Sequence, residues 1–157
     1  MDFVAKILAK ALMALPTTDF LLSTYLISEQ VQIDNVVKSL CDLATLLEGA
    51  QFKKFWDTVP TCPAAGVLQG ITDFEDNVRE FISGLLLISH QTLDLKTLSM
   101  LLNMKDAETA KFVASKGWAS DGTTVSFPLT NENQVRSVPI KQVYSWRAAK
   151  SCAGPRR

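Results

Sequence analysis

The chain has one histidine and three cysteines, and neither type is arranged for chemistry. His90 follows an apolar segment, where an imidazole interacts with the negative end of a helix dipole or covers exposed carbonyls. Cys41, Cys62 and Cys152 are odd in number and too far apart for a metal knuckle or a redox pair, so they read as free thiols in a reducing compartment. The seven glycines are scattered singly, which rules out a glycine-rich phosphate loop, and no serine sits in a nucleophile-elbow pattern. No enzyme, cofactor or metal site is expected. Long hydrophobic runs are also missing. The longest apolar stretch, Phe81 to Ile88, is far short of the roughly 20 residues that cross a bilayer. Met1-Asp2-Phe3-Val4 lacks a basic leader region, and Lys6 and Lys10 interrupt the apolar residues after it. A soluble intracellular protein with no membrane partner is expected.

The chain does hold enough apolar residue for an ordinary globular core, within a length of 157 residues. Charge balances overall but not locally. Residues 1–110 carry eight Lys/Arg against fourteen Asp/Glu, and residues 111–157 carry eight against two. From Arg136 onward six basic residues stand with no acid. Such an end either touches nucleic acid or an acidic partner, or is a solvated tail balancing an acidic body.

Helical periodicity dominates the first half. Phe3, Val4, Ile7, Leu8, Ala11, Leu12 and Leu15 form one stripe, which Pro16 terminates. Thr17, Thr18 and Asp19 are cap candidates for a helix from about Phe20 to Ser28. Ile33, Val36, Val37, Leu40, Leu43, Ala44 and Leu47 mark a third helix, with Gly49 placed as its C-cap. A short fourth holds Phe52, Phe55, Trp56 and Val59 before Pro60. These four read as two stacked helical hairpins of the HEAT or TPR kind, with Leu15 and Phe20 echoed 32 residues later by Leu47 and Phe52.

Residues 60–70 form a proline- and glycine-containing connector. Thr72 and Glu75 then have the spacing of a capping box, opening a helix that runs to about His90. Asp73, Glu75 and Asp76 suit the first turn of that helix, which explains them without catalytic carboxylates. Leu85-Leu86-Leu87-Ile88 is apolar all round and predicts a central helix buried from several directions. Asp94 caps a short helix with Leu95, Leu98, Leu101 and Leu102 buried, and residues 103–105 turn. Asp106 caps another helix bearing Ala107, Ala110, Val113 and Ala114, closed by Gly117. Asp121-Gly122 marks a turn, and Val125, Phe127 and Leu129 alternate as a half-buried strand that Pro128 makes an edge. Val135, Val138 and Ile140 are its expected return, with a last helix near residues 139–150. Helix, short helix, tight turn, helix and hairpin is the order of a winged helix.

A winged helix raises nucleic-acid binding. The recognition helix would begin Asp106-Ala107-Glu108-Thr109 and carry only Lys111 and Lys116 as positive charge. Acids at the leading end oppose phosphates, which supply most duplex affinity, so sequence-specific DNA reading is not expected. Arg136, Lys141, Arg147 and Lys150 remain candidates for RNA contact without sequence preference. Trp118, Tyr144 and Trp146 are candidate anchors of a protein interface, should they be exposed.

Several stretches carry a resemblance. Ile7-Leu8-Ala9-Lys10-Ala11-Leu12 with Leu15-Pro16-x-Thr18-Asp19-Phe20, and Leu46-Leu47-Glu48 followed by Phe52-x-x-Phe55-Trp56, are similar to the subunit k family of eukaryotic translation initiation factor 3. The most specific stretch is Gly70-Ile71-Thr72-x-Phe74-Glu75-Asp76-x-Val78-Arg79-x-Phe81-Ile82, and Ser115-Lys116-Gly117-Trp118 before an acidic glycine-containing turn is also similar. The resemblance runs from about residue 5 to residue 130.

It implies a mainly α fold: helical-repeat hairpins over residues 1–70, a winged-helix domain with a small β-hairpin over 71–142, and a basic tail over 143–157. It further implies a cytoplasmic, non-catalytic, PCI-related scaffold subunit with a possible nuclear pool. Its partners would be subunits l and e and, through the complex, the small ribosomal subunit. Family members begin with further helices before the segment matching Ile7, so this chain reads as an N-terminally short form whose first hairpin exposes an apolar face. After Val138 the sequence departs from the family ending. The alternatives are a stand-alone winged-helix nucleic-acid binder, or the equivalent small subunit of a proteasome-lid or signalosome-type complex.

Overall fold

The first hairpin forms where the periodicity places it. In the computed structural model, which describes residues 2–134, α1 spans Asp2–Met13 and α2 spans Asp19–Leu26. Leu8, Leu12 and Ala9 of α1 are at most 1% exposed, because α1 packs against α2, against α4 (Asn35–Glu48) and against two later helices. A four-residue helix, α3 (Glu29–Gln32), leads into α4. There Asp34 accepts a hydrogen bond from the Val36 amide at 2.9 Å, a side-chain cap of the kind that satisfies a free amide in the first turn.

Val37, Leu40, Leu43, Ala44 and Leu47 fill the inner face of α4. α5 (Phe52–Thr58) returns against it with Phe52, Phe55 and Trp56 buried. Each such side chain contributes about 1.5–3 kcal/mol on leaving water. The corner between α4 and α5 differs from expectation. Gly49 has φ −79°, and Ala50, at φ +54°, takes the left-handed position. The Ala50 and Gln51 amides donate back to Leu47 and Leu46, closing the helix end one residue later than Gly49 suggests.

Residues 60–70 are not merely a connector. They contain a single helical turn, α6 (Ala65–Gln69), which packs on α1 through the buried Leu68. α7 (Phe74–Ser89) comes next, but no capping box opens it. Its N-cap is Asp73, with φ +63° and no side-chain cap bond, and Glu75 instead pairs with Arg79 at 2.7 Å one turn on. The i,i+4 ion pair takes the carboxylate that the box would have used.

Only Leu86 of the run 85–88 is buried, and Ile88 is 47% exposed. α7 touches α1 on one side and α8 (Leu95–Leu102) on the other, so it joins the two halves as expected, yet one apolar edge faces a groove.

The second half has the winged-helix order α7, β1 (Thr92–Asp94), α8, α9 (Asp106–Ser115), β2 (Ala119–Ser120), β3 (Thr124–Ser126). The sheet order is β1-β3-β2, all antiparallel, with Leu93 opposite Val125 and Ser120 opposite Val125 on the other side. β3 is therefore central rather than an edge. Its ladder ends where the Phe127 amide donates to the Gln91 carbonyl, one residue before Pro128, which has no donor to continue it. Val125 and Phe127 point into the core, whereas Leu129 is exposed.

α9 is capped at Lys105, not Asp106, and buries Thr109 and Val113 while Ala107, Ala110 and Ala114 face solvent. Gly117, at φ +69°, ends it. The expected return strand, the last helix and the basic tail lie outside the described residues. One continuous apolar cluster runs from Ala5 to Phe127.

Candidate functional site

A solvent-facing apolar stripe on α2 is the most unusual surface among the described residues. Leu21, Leu22, Tyr25 and Leu26 recur at helical spacing and are 52–88% exposed. The opposite side of α2 buries Phe20 and half-buries Ser23 and Thr24. Thr24 satisfies itself by donating to the Phe20 carbonyl, and Gln32 donates through Nε2 to the Thr24 and Ile27 carbonyls, closing the end of α2. The usual amphipathic polarity of a surface helix is thus inverted. Phe3 and Ile33 add exposed apolar surface on neighbouring elements of the same half. The exposed apolar face expected of the first hairpin is present.

Trp118 is only half exposed. It wedges edge-on between Phe112 (centroids 6.2 Å apart) and Phe127 (4.7 Å), tying α9 to the sheet. Its ring serves internal packing on both sides. Tyr144 and Trp146, and the basic Arg136, Lys141, Arg147 and Lys150, lie outside the described residues.

On α9 the acids Asp106 and Glu108 occupy the exposed first turn. Lys116 Nζ is held by Glu80 of α7 at 2.6 Å and sits 5.6 Å from the Phe112 ring centroid. Lys111, the one cation within α9, has no ion pair to a described residue. The helix therefore presents acid where a groove reader needs positive charge.

A cavity of about 510 Å³ opens beside Trp56, Phe74 and Arg79, with Asp73, Glu75 and Asp76 on its wall. Two of those acids are bound by Arg79, through Glu75 at 2.7 Å and Asp76 at 2.8 Å. His90 caps α7, its backbone amide donating to Leu86 and its Nδ1 lying 2.7 Å from the Ser89 hydroxyl. Cys62 is buried, and its thiol donates to the Val59 carbonyl. Burial, with Asp42 adjacent, pushes the Cys41 thiol pKa up and keeps the sulfur protonated, the reverse of an activated nucleophile. Among the described residues no cluster of three or more His, Cys, Asp or Glu could hold a metal ion, and no helix is long and apolar enough to cross a membrane.

One site residue carried no sequence signal. Asn133 is 8% exposed and fully bonded: its Nδ2 donates to the Leu87 and Pro128 carbonyls at 3.0 and 2.9 Å, and its Oδ1 accepts from the Thr130 amide. Gln91 donates to the Asn133 carbonyl at 2.7 Å. Together they fasten the segment after β3 to the end of α7.

Residues 1–138 match the model of the CSN8/PSMD8/EIF3K family. Three similar proteins, each named "Eukaryotic translation initiation factor 3 subunit K", show how far the likeness extends. One from Dictyostelium discoideum is 34% identical over 139 residues, covering 87% of this chain and 55% of its own length. The Homo sapiens protein is 33% identical over 148 residues, covering 94% and 67%. One from Nematostella vectensis is 29% identical over 140 residues, covering 88% and 64%. The chain thus spans between 55% and 67% of these relatives. With the family model matched from Met1 through the winged-helix elements, this chain belongs to the CSN8/PSMD8/EIF3K family.

Proposed function

We propose that this chain is a non-catalytic scaffold subunit of the eukaryotic translation initiation factor 3 complex, a cytoplasmic protein with a nuclear pool. It would dock against subunits l and e and so support assembly on the small ribosomal subunit. In this reading residues 1–70 act as the helical-repeat half, 71–142 as the winged helix and 143–157 as the tail. The names of the relatives support the complex. The observation that carries a docking role is the α2 stripe, since a contiguous apolar helix face left in water marks an interaction site. Acids on the leading turn of α9 argue against the stand-alone nucleic-acid binder.

The test is affinity capture of the tagged chain from a eukaryotic lysate, washed at high salt and read by mass spectrometry. Subunits l and e should be recovered, and a Leu22→Glu/Leu26→Glu variant should lose them while its melting curve stays in place. Phosphate-driven binding falls steeply with salt, whereas an apolar interface does not. Recovery of proteasome-lid or signalosome subunits would move the function to another complex, and recovery of salt-sensitive RNA alone would sink the scaffold reading.

A further inference from the structure

The stripe on α2 has a counterpart on α1. The two helices pack on one another, and the outer face of α1 exposes Phe3, Lys6, Ile7 and Lys10 at helical spacing. Leu21, Leu22, Tyr25 and Leu26, with Phe3 and Ile7, are 45–88% exposed. Together they leave on the order of 600 Å² of apolar surface in water, the upper end for the largest patch on a monomer. With a polar rim this reaches about the 800 Å² that each partner gives to a standard interface. So apolar a patch matches homodimer interfaces better than transient ones, which are no more apolar than ordinary surface.

The charges beside the stripe are of both signs. Lys6 and Lys10 stand on α1, Asp19 opens α2, and Glu29 opens α3 just beyond its end. All four are exposed, and none has an ion pair to a described residue. A two-fold axis running along the hairpin, between α1 and α2, lays α1 of one copy over α2 of its partner. Apolar residues then meet apolar residues. The lysines of α1 meet the acids at the two ends of α2, and the same pairs recur on the other side of the axis. An anionic bilayer would instead call for cations alone.

We propose that outside any complex this face is occupied by a second copy of the chain, giving a closed two-fold dimer. Leu22, Tyr25 and Leu26 of each copy cover Phe3 and Ile7 of the other, and Lys6 and Lys10 pair with Glu29 and Asp19 across the interface. Such an interface is isologous, so it closes at two copies instead of growing into a filament. The dimer goes beyond the scaffold role, because it is the state of the unassembled chain. It rests on the same stripe, so a second copy and a partner subunit exclude one another.

Sedimentation equilibrium of the purified full chain over a range of micromolar concentrations tests this. The chain should sediment as a dimer, and the Leu22→Glu/Leu26→Glu variant as a monomer. Lys6→Glu/Lys10→Glu should weaken the dimer roughly tenfold, since exposed ion pairs are individually modest. Adding Asp19→Lys/Glu29→Lys to that variant should restore the dimer, which an unfolded protein could not do. Melting curves establish that each variant is folded. A monomer at every concentration would overturn the proposal, as would open-ended oligomers or a dimer that survives Leu22→Glu/Leu26→Glu. So would a dimer indifferent to the lysine reversal, or one that the compensating change does not restore. A monomer that binds anionic vesicles would overturn it too, giving the face to a lipid surface. The scaffold role fails separately, on lysate capture: the chain can dimerise without recovering subunits l and e, or recover them while monomeric when pure.

Discussion

Arg79 lies over Trp56, its guanidinium carbon 5.5 Å from the ring centroid, and the two side chains close the same helix end. Trp56 Nε1 donates to the Leu101 carbonyl at 2.9 Å, and Arg79 Nε donates to the Leu102 carbonyl at 3.3 Å. The last carbonyls of a helix have no partner inside it, and its C-terminus favours positive charge. One indole from the hairpin half and one guanidinium from α7 meet both needs of α8. The same contact ties the helical hairpins to the winged-helix elements.

Removing either donor should therefore weaken the whole fold. Trp56→Phe keeps a ring but loses the N–H, and should cost about 1 kcal/mol. Arg79→Met should cost a similar amount. In a double-mutant cycle the two should couple by roughly 0.5–1 kcal/mol, because they share a cation–π contact and one helix end. Urea unfolding with an unchanged slope measures this. Strict additivity would show that the two side chains act independently.

Two left-handed positions should respond in opposite senses. Gly117 has φ +69°, so Gly117→Ala should lose about 1 kcal/mol. Ala50 holds φ +54° with a Cβ, and Ala50→Gly should gain roughly 0.5 kcal/mol, the relief of strain being partly offset by greater freedom of the unfolded chain. Thermal melting of the two variants is the check.

Cys41 should be slow to react. Its pKa is raised by burial and by Asp42, so the folded chain holds that proton to higher pH than the unfolded chain does. The sign comes from proton binding: the resulting stability is fully present below the unfolded thiol pKa and lost as pH rises through the folded one. Site-resolved alkylation should require a higher pH at Cys41 than in the urea-unfolded protein. Equal pH profiles would contradict the raised pKa.

Most of the architecture was legible because helical periodicity and chain breakers agree. Pro16, Pro60, Asn103 and Gly117 fall at or just beyond helix ends, and the apolar stripes of α1, α4 and α7 are wide enough to read. β1 leaves no signal because Thr92-Leu93-Asp94 is too short to show alternation. In α9 the small alanines gave no preference between faces, and packing chose Thr109, Phe112 and Val113 instead. Thr109 is tolerated in the core because its hydroxyl donates to the Lys105 carbonyl one turn back. Residue type misleads at the caps Thr72 and Asp106, where ion pairing and backbone angle settled the first turn.

The sequence by itself determined where the longer helices lie, though not the short α3 and α6, that a winged-helix order succeeds the hairpins, and which family the residues resemble. These depend on local periodicity and turn chemistry, which neighbours along the chain set. Only the tertiary structure decided which apolar faces are covered. Leu47 and Leu22 look alike in one dimension, but Leu47 meets a packed core and Leu22 meets water. It likewise decided that Asn133 would fasten the chain to Leu87, a residue 46 positions away, because a buried amide is stable only where distant carbonyls converge on it.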